Sequence, residues 1–89
     1  MKKITLCFEF RGGKGHAYVN IIPSNYSIYK QDFSGCHDFH LPAGNYQVMF
    51  EGVSPPGGTK AELFLEDESA GKRSIPEGYF SRYFRIQIP

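Results

Sequence analysis

The sequence contains no tryptophan, only two cysteines and no long apolar segment. No run of residues approaches the ~20 apolar positions that a membrane-spanning helix needs, so we expect no membrane insertion. The two lysines and the apolar residues after Met1 do not form a signal peptide, because Glu9 and Arg11 interrupt the run and no small-residue cleavage motif follows. We therefore expect a cytoplasmic protein, or a cell-surface or secreted one if the chain is a piece of a longer protein.

The sequence also lacks an excess of charge of either sign. It has ten Lys and Arg residues and nine Asp and Glu residues, which gives a net charge of +1. Such a balance creates no broad field that would attract nucleic acid. The segment GYFSRYF (78–84) has an aromatic spacing similar to that of an RNA-binding strand, but the pattern lacks the helices that accompany such a strand. The sequence thus predicts no nucleic-acid partner.

The two cysteines, Cys7 and Cys36, are too few for a disulfide framework. In a reducing compartment two such thiols normally stay reduced. The sequence therefore favours free thiols, with a single bridge as the alternative.

What the sequence does have is aromatic residues and turn residues: eight Phe, six Tyr, ten Gly and six Pro. Between the Gly and Pro clusters, apolar residues alternate with polar ones, which is typical of strands rather than helices. Clear examples are KITLCFEF (3–10), HAYVNII (16–22), YQVMFE (46–51), KAELFLE (60–66) and YFSRYFRIQIP (79–89). The charged segment DESAGKRSIPEG (67–78) shows no alternation and is predicted to be a loop.

Six or seven short strands, separated by turns at intervals of roughly ten residues, predict an all-β chain. We expect a single antiparallel β-sandwich, immunoglobulin-like or prealbumin-like, that occupies residues 1–89 as one domain. The segments RGGKGH (11–16) and LPAGNY (41–46) are both predicted to be hairpin turns. The first is not a phosphate-binding loop, because neither Ser or Thr nor a helix follows Lys14.

Residues 15–52 resemble the carboxypeptidase regulatory-like, or transthyretin-like, β-sandwich modules. The matching residues are Ala17 and Val19 in a first strand, Asp32 and Gly35 in a turn, and Phe39, Leu41, Pro42, Gly44 and Tyr46 in a hairpin. Gln31 departs from the pattern, since threonine is usual there. The resemblance implies a prealbumin-like sandwich that serves as a non-catalytic accessory module, and it carries no catalytic residue over to this chain.

Candidate chemistry is concentrated in the segment CHDFH (36–40). If Phe39 faces the core, strand alternation places Cys36, Asp38 and His40 together on the outward face. Thiolate, carboxylate and imidazole are common ligands of zinc and copper, and His16 is the histidine that would complete the set. We favour the alternative of an ordinary polar strand face. Three ligands spaced two residues apart on one extended strand are poorly placed to surround a tetrahedral metal ion.

Catalysis is not predicted. A nucleophilic Cys36 would need a helix N-terminus or a fixed cation to stabilise its thiolate, and the pattern provides neither. No nucleophile, base and orienting group come together anywhere in the pattern. The acidic run Glu66, Asp67 and Glu68 lacks the spacing of a calcium loop and is predicted to be solvated.

The outward positions of the second and last predicted strands hold aromatic and basic residues: Tyr18 on the second, and Tyr79, Tyr83 and Arg85 on the last. Tyrosine rings and guanidinium groups are typical of surfaces that bind proteins or sugars, although the lack of tryptophan weighs against sugars. The alternative is that these tyrosines pack on a second sheet.

We therefore expect a non-catalytic binding or structural module that recognises protein or glycan through its loops and a tyrosine-bearing sheet face. The alternative is a small zinc- or copper-binding protein that uses His16, Cys36, Asp38 and His40. No cofactor is expected for the binding module. A homodimer could form through a strand edge, and the last strand is one candidate edge.

Overall fold

The structure, a computed structural model, describes residues 1–13, 15–24, 27–31 and 35–89, with the side chains of residues 27–31 excepted. These residues form eight strands and one short 3₁₀ turn, Arg11–Gly13. The strands are β1 (Lys2–Phe10), β2 (His16–Ile22), β3 (Ser27–Gln31), β4 (Gly35–Leu41), β5 (Gly44–Ser54), β6 (Thr59–Leu65), β7 (Glu68–Ile75) and β8 (Gly78–Ile88). Among the described residues, no helix has the length and apolar character of a membrane span. Lys14 and Asp32, which the sequence places in turns, lie outside the described residues.

The strands form two four-stranded antiparallel sheets. Sheet A has the order β4-β1-β6-β7, and sheet B has the order β3-β2-β5-β8. The two sheets pack face to face on one shared core. The prediction of an all-β antiparallel sandwich is therefore confirmed, while the finer assignment to an immunoglobulin-like or prealbumin-like sandwich stays a prediction.

The core contains the apolar half of each alternating segment, because successive side chains of a strand point to opposite faces. On β1, for example, Ile4, Leu6 and Phe8 are buried, whereas Glu9 is exposed. Aromatic rings fill the space between the sheets. Phe50 of sheet B contacts Phe8 of sheet A, with 5.6 Å between ring centroids. Bulky rings bury a large apolar area each, which lets a chain of 89 residues form a core between two sheets.

Most connections cross from one sheet to the other, and this corrects two predicted hairpins. The segments RGGKGH (11–16) and LPAGNY (41–46) each join strands of different sheets, β1 to β2 and β4 to β5. At the second crossing, Gly44 has a φ of 153° and the Tyr46 hydroxyl donates a hydrogen bond to the Pro42 carbonyl at 2.9 Å. Alternation could not reveal the crossing, because two strands that face one core from opposite sheets show the same pattern as two paired strands.

The prediction of a loop at residues 67–78 is also wrong, because residues Glu68–Ile75 form strand β7. A two-residue turn of Glu66 and Asp67, both with positive φ, joins β7 to β6. The core-facing positions of β7 include Gly71 and Arg73, so the strand has no apolar alternation. At Gly71 a Cβ atom would lie 2.8 Å from the Phe84 ring, so the missing side chain makes room for that ring.

A disulfide joins Cys7 of β1 to Cys36 of β4. The expectation of free thiols is therefore wrong. The two residues are 29 positions apart in the sequence, but they are direct partners in the β1–β4 register and lie on the outer face of sheet A. Spacing alone does not show which residues of two strands stand opposite each other, and the pairing could not be derived from it.

Candidate functional site

The outer face of sheet B is formed by the outward side chains of β2, β5 and β8, and we call it the tyrosine face. Its members are His16, Tyr18, Asn20, Ile22, Asn45, Gln47, Met49, Glu51, Val53, Tyr79, Ser81, Tyr83, Arg85 and Gln87. Strand alternation produces this face, since the inward residues of the same strands belong to the core.

Direct antiparallel register aligns the tyrosine face in rows across the three strands. The rows are His16, Val53 and Tyr79; Tyr18, Glu51 and Ser81; Asn20, Met49 and Tyr83; and Ile22, Gln47 and Arg85. Each predicted binding residue therefore has a place in a row, with Tyr18, Tyr79, Tyr83 and Arg85 all on this face. The structure brings these four residues together on one surface, at the outer side of sheet B rather than in the core.

Exposed apolar side chains are concentrated on the tyrosine face. Among the described residues, the exposed large hydrophobic side chains other than Met1 are Tyr18, Ile22, Met49, Val53, Tyr79 and Tyr83, and all six lie here. Tyr79 is 75% exposed and Ile22 is 51% exposed. Ile22, Met49 and Val53 were missed by sequence reasoning, because an isolated outward apolar residue is common and becomes informative only when the register groups several.

Charge is sparse on this face, where Glu51 is the one acidic residue and Arg85 the one Lys or Arg among the described residues. The Tyr79 hydroxyl donates a hydrogen bond to Glu51 Oε2 at 3.1 Å. This hydrogen bond and the negative charge of Glu51 both raise the pKa of Tyr79 above its ordinary value. The Arg85 guanidinium lies over the Tyr83 ring, 5.6 Å from the ring centroid.

The outer face of sheet A is different, because it carries charged side chains that contact one another. Glu62 accepts a hydrogen bond from Ser69 at 2.7 Å and lies 3.9 Å from Lys72 Nζ. Lys3 pairs with Asp67 of the β6–β7 turn at 3.2 Å. Such a face is typical of a solvated surface. The contrast between the two outer faces identifies sheet B as the candidate binding side.

The predicted metal site is not assembled: Cys36, Asp38 and His40 share the outward face of β4 in sheet A, as expected from alternation, but His16 lies on the other sheet. Cys36 is bonded to Cys7, so its sulfur is not a free thiolate. Asp38 accepts a hydrogen bond from Thr5 at 2.7 Å on sheet A, whereas His16 lies on β2 in sheet B. Within residues 1–13, 15–24, 27–31 and 35–89, no group of three or more His, Cys, Asp and Glu residues could hold a metal ion.

An open hollow lies at one end of the tyrosine face, where the row of Ile22, Gln47 and Arg85 meets the border of sheet B. Its volume is about 590 Å³. Apolar groups of Ile22 and Ile86 line it together with the amides of Asn45 and Gln47, so a ligand would find both apolar contact and hydrogen-bonding groups there.

Comparisons of the chain with protein-family models, with curated proteins and with solved structures found no match. The resemblance of residues 15–52 to the carboxypeptidase regulatory-like modules stays a prediction. Function is therefore inferred from the tyrosine face itself.

Proposed function

We propose that the protein is a non-catalytic binding module that recognises a protein or a glycan through the tyrosine face. One observation supports this proposal above the others: the exposed large hydrophobic side chains of the described residues, Met1 apart, are concentrated on one face of one sheet. Exposed apolar patches rimmed by polar residues mark interaction sites in soluble proteins. A purely structural role would not require exposed hydrophobic side chains to be concentrated on the outer face of one sheet.

A protein is the leading partner. Ile22, Met49 and Val53 contribute aliphatic surface, and Tyr79 and Tyr83 flank it with rigid rings. Aromatic residues and Met are enriched in the buried centres of protein interfaces, where charged residues are depleted. The position of Met49 in the middle strand, between Asn20 and Tyr83, makes it the centre of such an interface.

A glycan is the second candidate partner, favoured by the environment of Tyr79. Tyr79 is 75% exposed and its hydroxyl is anchored on Glu51, so the ring is held in place for stacking on a sugar. The amides of Asn20 and Gln47 supply the donors and acceptors that sugar hydroxyls require. The lack of tryptophan places this candidate behind a protein partner.

The disulfide bears on where such a partner would be met. Disulfides form and persist in oxidising environments, such as the cell surface and the secretory compartments, and are rare in the cytoplasm. Since Cys7 and Cys36 are bonded, we propose a cell-surface or secreted location in place of the cytoplasmic one expected from the sequence.

A matched pair of variants tests the binding proposal. Met49→Lys places a charge at the centre of the tyrosine face, and Phe64→Lys places the same charge on the half-buried outward position of β6 in sheet A. Partners are captured from a peptide-display library and a glycan array with the wild-type protein. We expect Met49→Lys to weaken binding of the captured partner at least tenfold, and Phe64→Lys to leave it unchanged, because only the first charge would have to be desolvated in the complex.

Far-UV circular dichroism and urea unfolding confirm that both variants are folded before binding is compared. If Met49→Lys binds every captured partner as well as the wild type, the tyrosine face is not the binding surface. A second comparison separates the two partner classes: Val53→Ser should weaken a protein partner, which needs the aliphatic surface, and leave a glycan stacked on Tyr79 unaffected.

A further inference from the structure

A groove lies beside the tyrosine face, at the open border where edge strand β8 of sheet B approaches edge strand β7 of sheet A. We call it the arginine groove. It has a volume of about 530 Å³ and is lined by Arg73, Ser81, Arg82, Tyr83 and Arg85. Arg85 and Tyr83 also belong to the tyrosine face, so the groove is continuous with the proposed binding surface.

Backbone carbonyls and aromatic rings hold the three arginines in place. Arg73 donates from Nη1 to the Lys72 carbonyl at 2.9 Å and from Nη2 to the Tyr83 carbonyl at 3.2 Å. Its guanidinium also lies 4.6 Å from the centroid of the Phe84 ring. Arg82 donates from Nη1 to the Ser81 carbonyl at 3.0 Å, and Arg85 lies over the Tyr83 ring. Each guanidinium has five N–H donors, so donors remain for a ligand.

The arginine groove lacks a counter-charge among the described residues. Three other basic side chains lie within ion-pair distance of a carboxylate: Lys3 of Asp67, Arg11 of Glu9 and Lys72 of Glu62. No described carboxylate lies within ion-pair distance of Arg73, Arg82 or Arg85.

The carboxylate of Glu51, the nearest one in the sheet register, does not neutralise the arginine charges. Glu51 stands opposite Ser81 and already accepts the hydrogen bond of Tyr79. Arg85 stands opposite an amide, Gln47. Three like charges that line one groove repel each other, and an anion bound between them would turn that repulsion into attraction.

We propose that the arginine groove binds a tetrahedral oxyanion, the sulfate or phosphate group of a ligand held on the tyrosine face. Guanidinium groups bind such oxyanions with paired, charge-assisted hydrogen bonds, and the hydroxyls of Ser81 and Tyr83 add donors beside them. This inference deepens the proposed function and rests on it for the larger ligand. The groove itself is testable with an inorganic anion alone.

An alternative role for Arg73 and Arg82 is protection of the exposed edge of β8. Their hydrogen bonds occupy the carbonyls of Tyr83 and Ser81 on edge strand β8, and they thereby hinder the addition of a further strand. If the arginines served only to protect this edge, their substitution would change self-association and would not change anion binding.

The test is an NMR titration of the full chain, followed through the backbone amides and the arginine Nε–H signals. Sodium sulfate and sodium phosphate are added in separate arms at pH 7, with sodium chloride adjusted to keep ionic strength constant. We expect saturable shifts of the Nε–H signals of Arg73, Arg82 and Arg85. Arg82→Gln and Arg85→Gln should each weaken binding about tenfold, since each removes a charged hydrogen-bond donor.

The control is Lys60→Gln, which removes one positive charge from the outer face of sheet A and should leave the titration unchanged. Arg82 and Arg85 are preferred to Arg73 for substitution, because the Arg73 guanidinium covers the Phe84 ring and its loss would disturb packing. Shifts that chloride or acetate reproduces at equal ionic strength would overturn the inference. So would an unchanged titration in both arginine variants.

The anion titration and the partner-capture experiment test the two proposals separately, so either proposal can be overturned while the other stands. An absent sulfate and phosphate response, together with loss of capture in Met49→Lys, would overturn the groove and leave the proposed function standing. A saturable anion response, together with full capture by Met49→Lys, would overturn the proposed function and leave the groove as an anion site.

Discussion

At the scale of single residues, the hydrogen bond from Tyr79 to Glu51 fixes the most exposed ring of the tyrosine face. A neighbouring carboxylate favours the neutral phenol, both by accepting its proton in a hydrogen bond and by repelling the phenolate. The same contact therefore sets the orientation of the ring and the protonation behaviour of its hydroxyl, and one titration reports on both.

We predict that Tyr79 titrates above its ordinary pKa, because Glu51 stabilises its protonated form. For a group whose pKa is raised on folding, the stabilisation is fully present below the unfolded pKa and is lost as the pH rises through the folded pKa. NMR signals of the Tyr79 ring carbons measure the midpoint. Glu51→Gln should lower this midpoint, since it removes the negative charge. An unchanged midpoint would show that the hydrogen bond does not form in solution.

Gly52 shows how a single inward position can decide packing. It lies buried in β5 opposite Ala17, and a Cβ atom there would overlap the His16 backbone carbonyl oxygen and stand 2.9 Å from the Ala17 Cα atom. We predict that Gly52→Ala destabilises the fold by about 3 kcal/mol or more, at the upper end of the cost of overpacking, because the neighbouring atoms belong to the backbone of β2 and cannot move aside cheaply. The neighbouring Val53→Ala, at an exposed position, should cost about 0.5 kcal/mol or less. Urea unfolding compares the two, and equal effects would contradict the close approach of β5 and β2.

At the scale of elements, the disulfide fastens edge strand β4 to β1 on the outer side of sheet A. It closes a loop of 29 residues, so it restricts the unfolded chain. We predict that reduction, or the paired substitution Cys7→Ser with Cys36→Ser, lowers the free energy of unfolding by about 3–4 kcal/mol. Urea unfolding with and without reductant measures the difference. Identical midpoints, with both thiols open to alkylation before reduction, would show that the bond does not form.

Elements also show how far the sequence predicts this structure. Alternation identified the strands whose inward residues are apolar, as on β1, and the same rule placed Tyr83 and Arg85 outward. It missed β7, where Gly71 and Arg73 occupy inward positions beside the Phe84 ring. It could not separate hairpins from crossings between sheets, because the pattern within a strand does not specify its neighbour.

For the candidate site, too, the sequence predicts the direction of a side chain within its strand but not the pairing between strands. The direction of each side chain is a property of one strand, so the four predicted binding residues could be placed on outward positions. Their grouping with Met49 and Val53 depends on the pairing of β2, β5 and β8, which no single segment encodes. The arginine groove was missed because Arg73 and Arg82 occupy inward positions at a border that exists only where two sheet edges meet.

At the scale of the whole molecule, the two sheets present different outer faces. Sheet A presents charged side chains that contact one another and carries the disulfide, whereas sheet B presents apolar and aromatic groups. Both sheets share one core, so neither outer face belongs to a separate folding unit. The module can therefore be altered on its sheet B side with little effect on the packing that holds the sandwich together.

This shared core predicts one cooperative unfolding transition. Of the connections between consecutive strands, β2–β3 and β6–β7 stay within a sheet and the other five cross between sheets, so neither sheet forms without the other. The Cα radius of gyration is 12.4 Å, close to the ~12 Å of a compact domain of this length. Far-UV and near-UV circular dichroism should therefore give coincident urea transitions. Refolding should take milliseconds to seconds, because pairing between distant segments is slow. Separate transitions would mean that one sheet persists alone, which the interleaved connections do not allow.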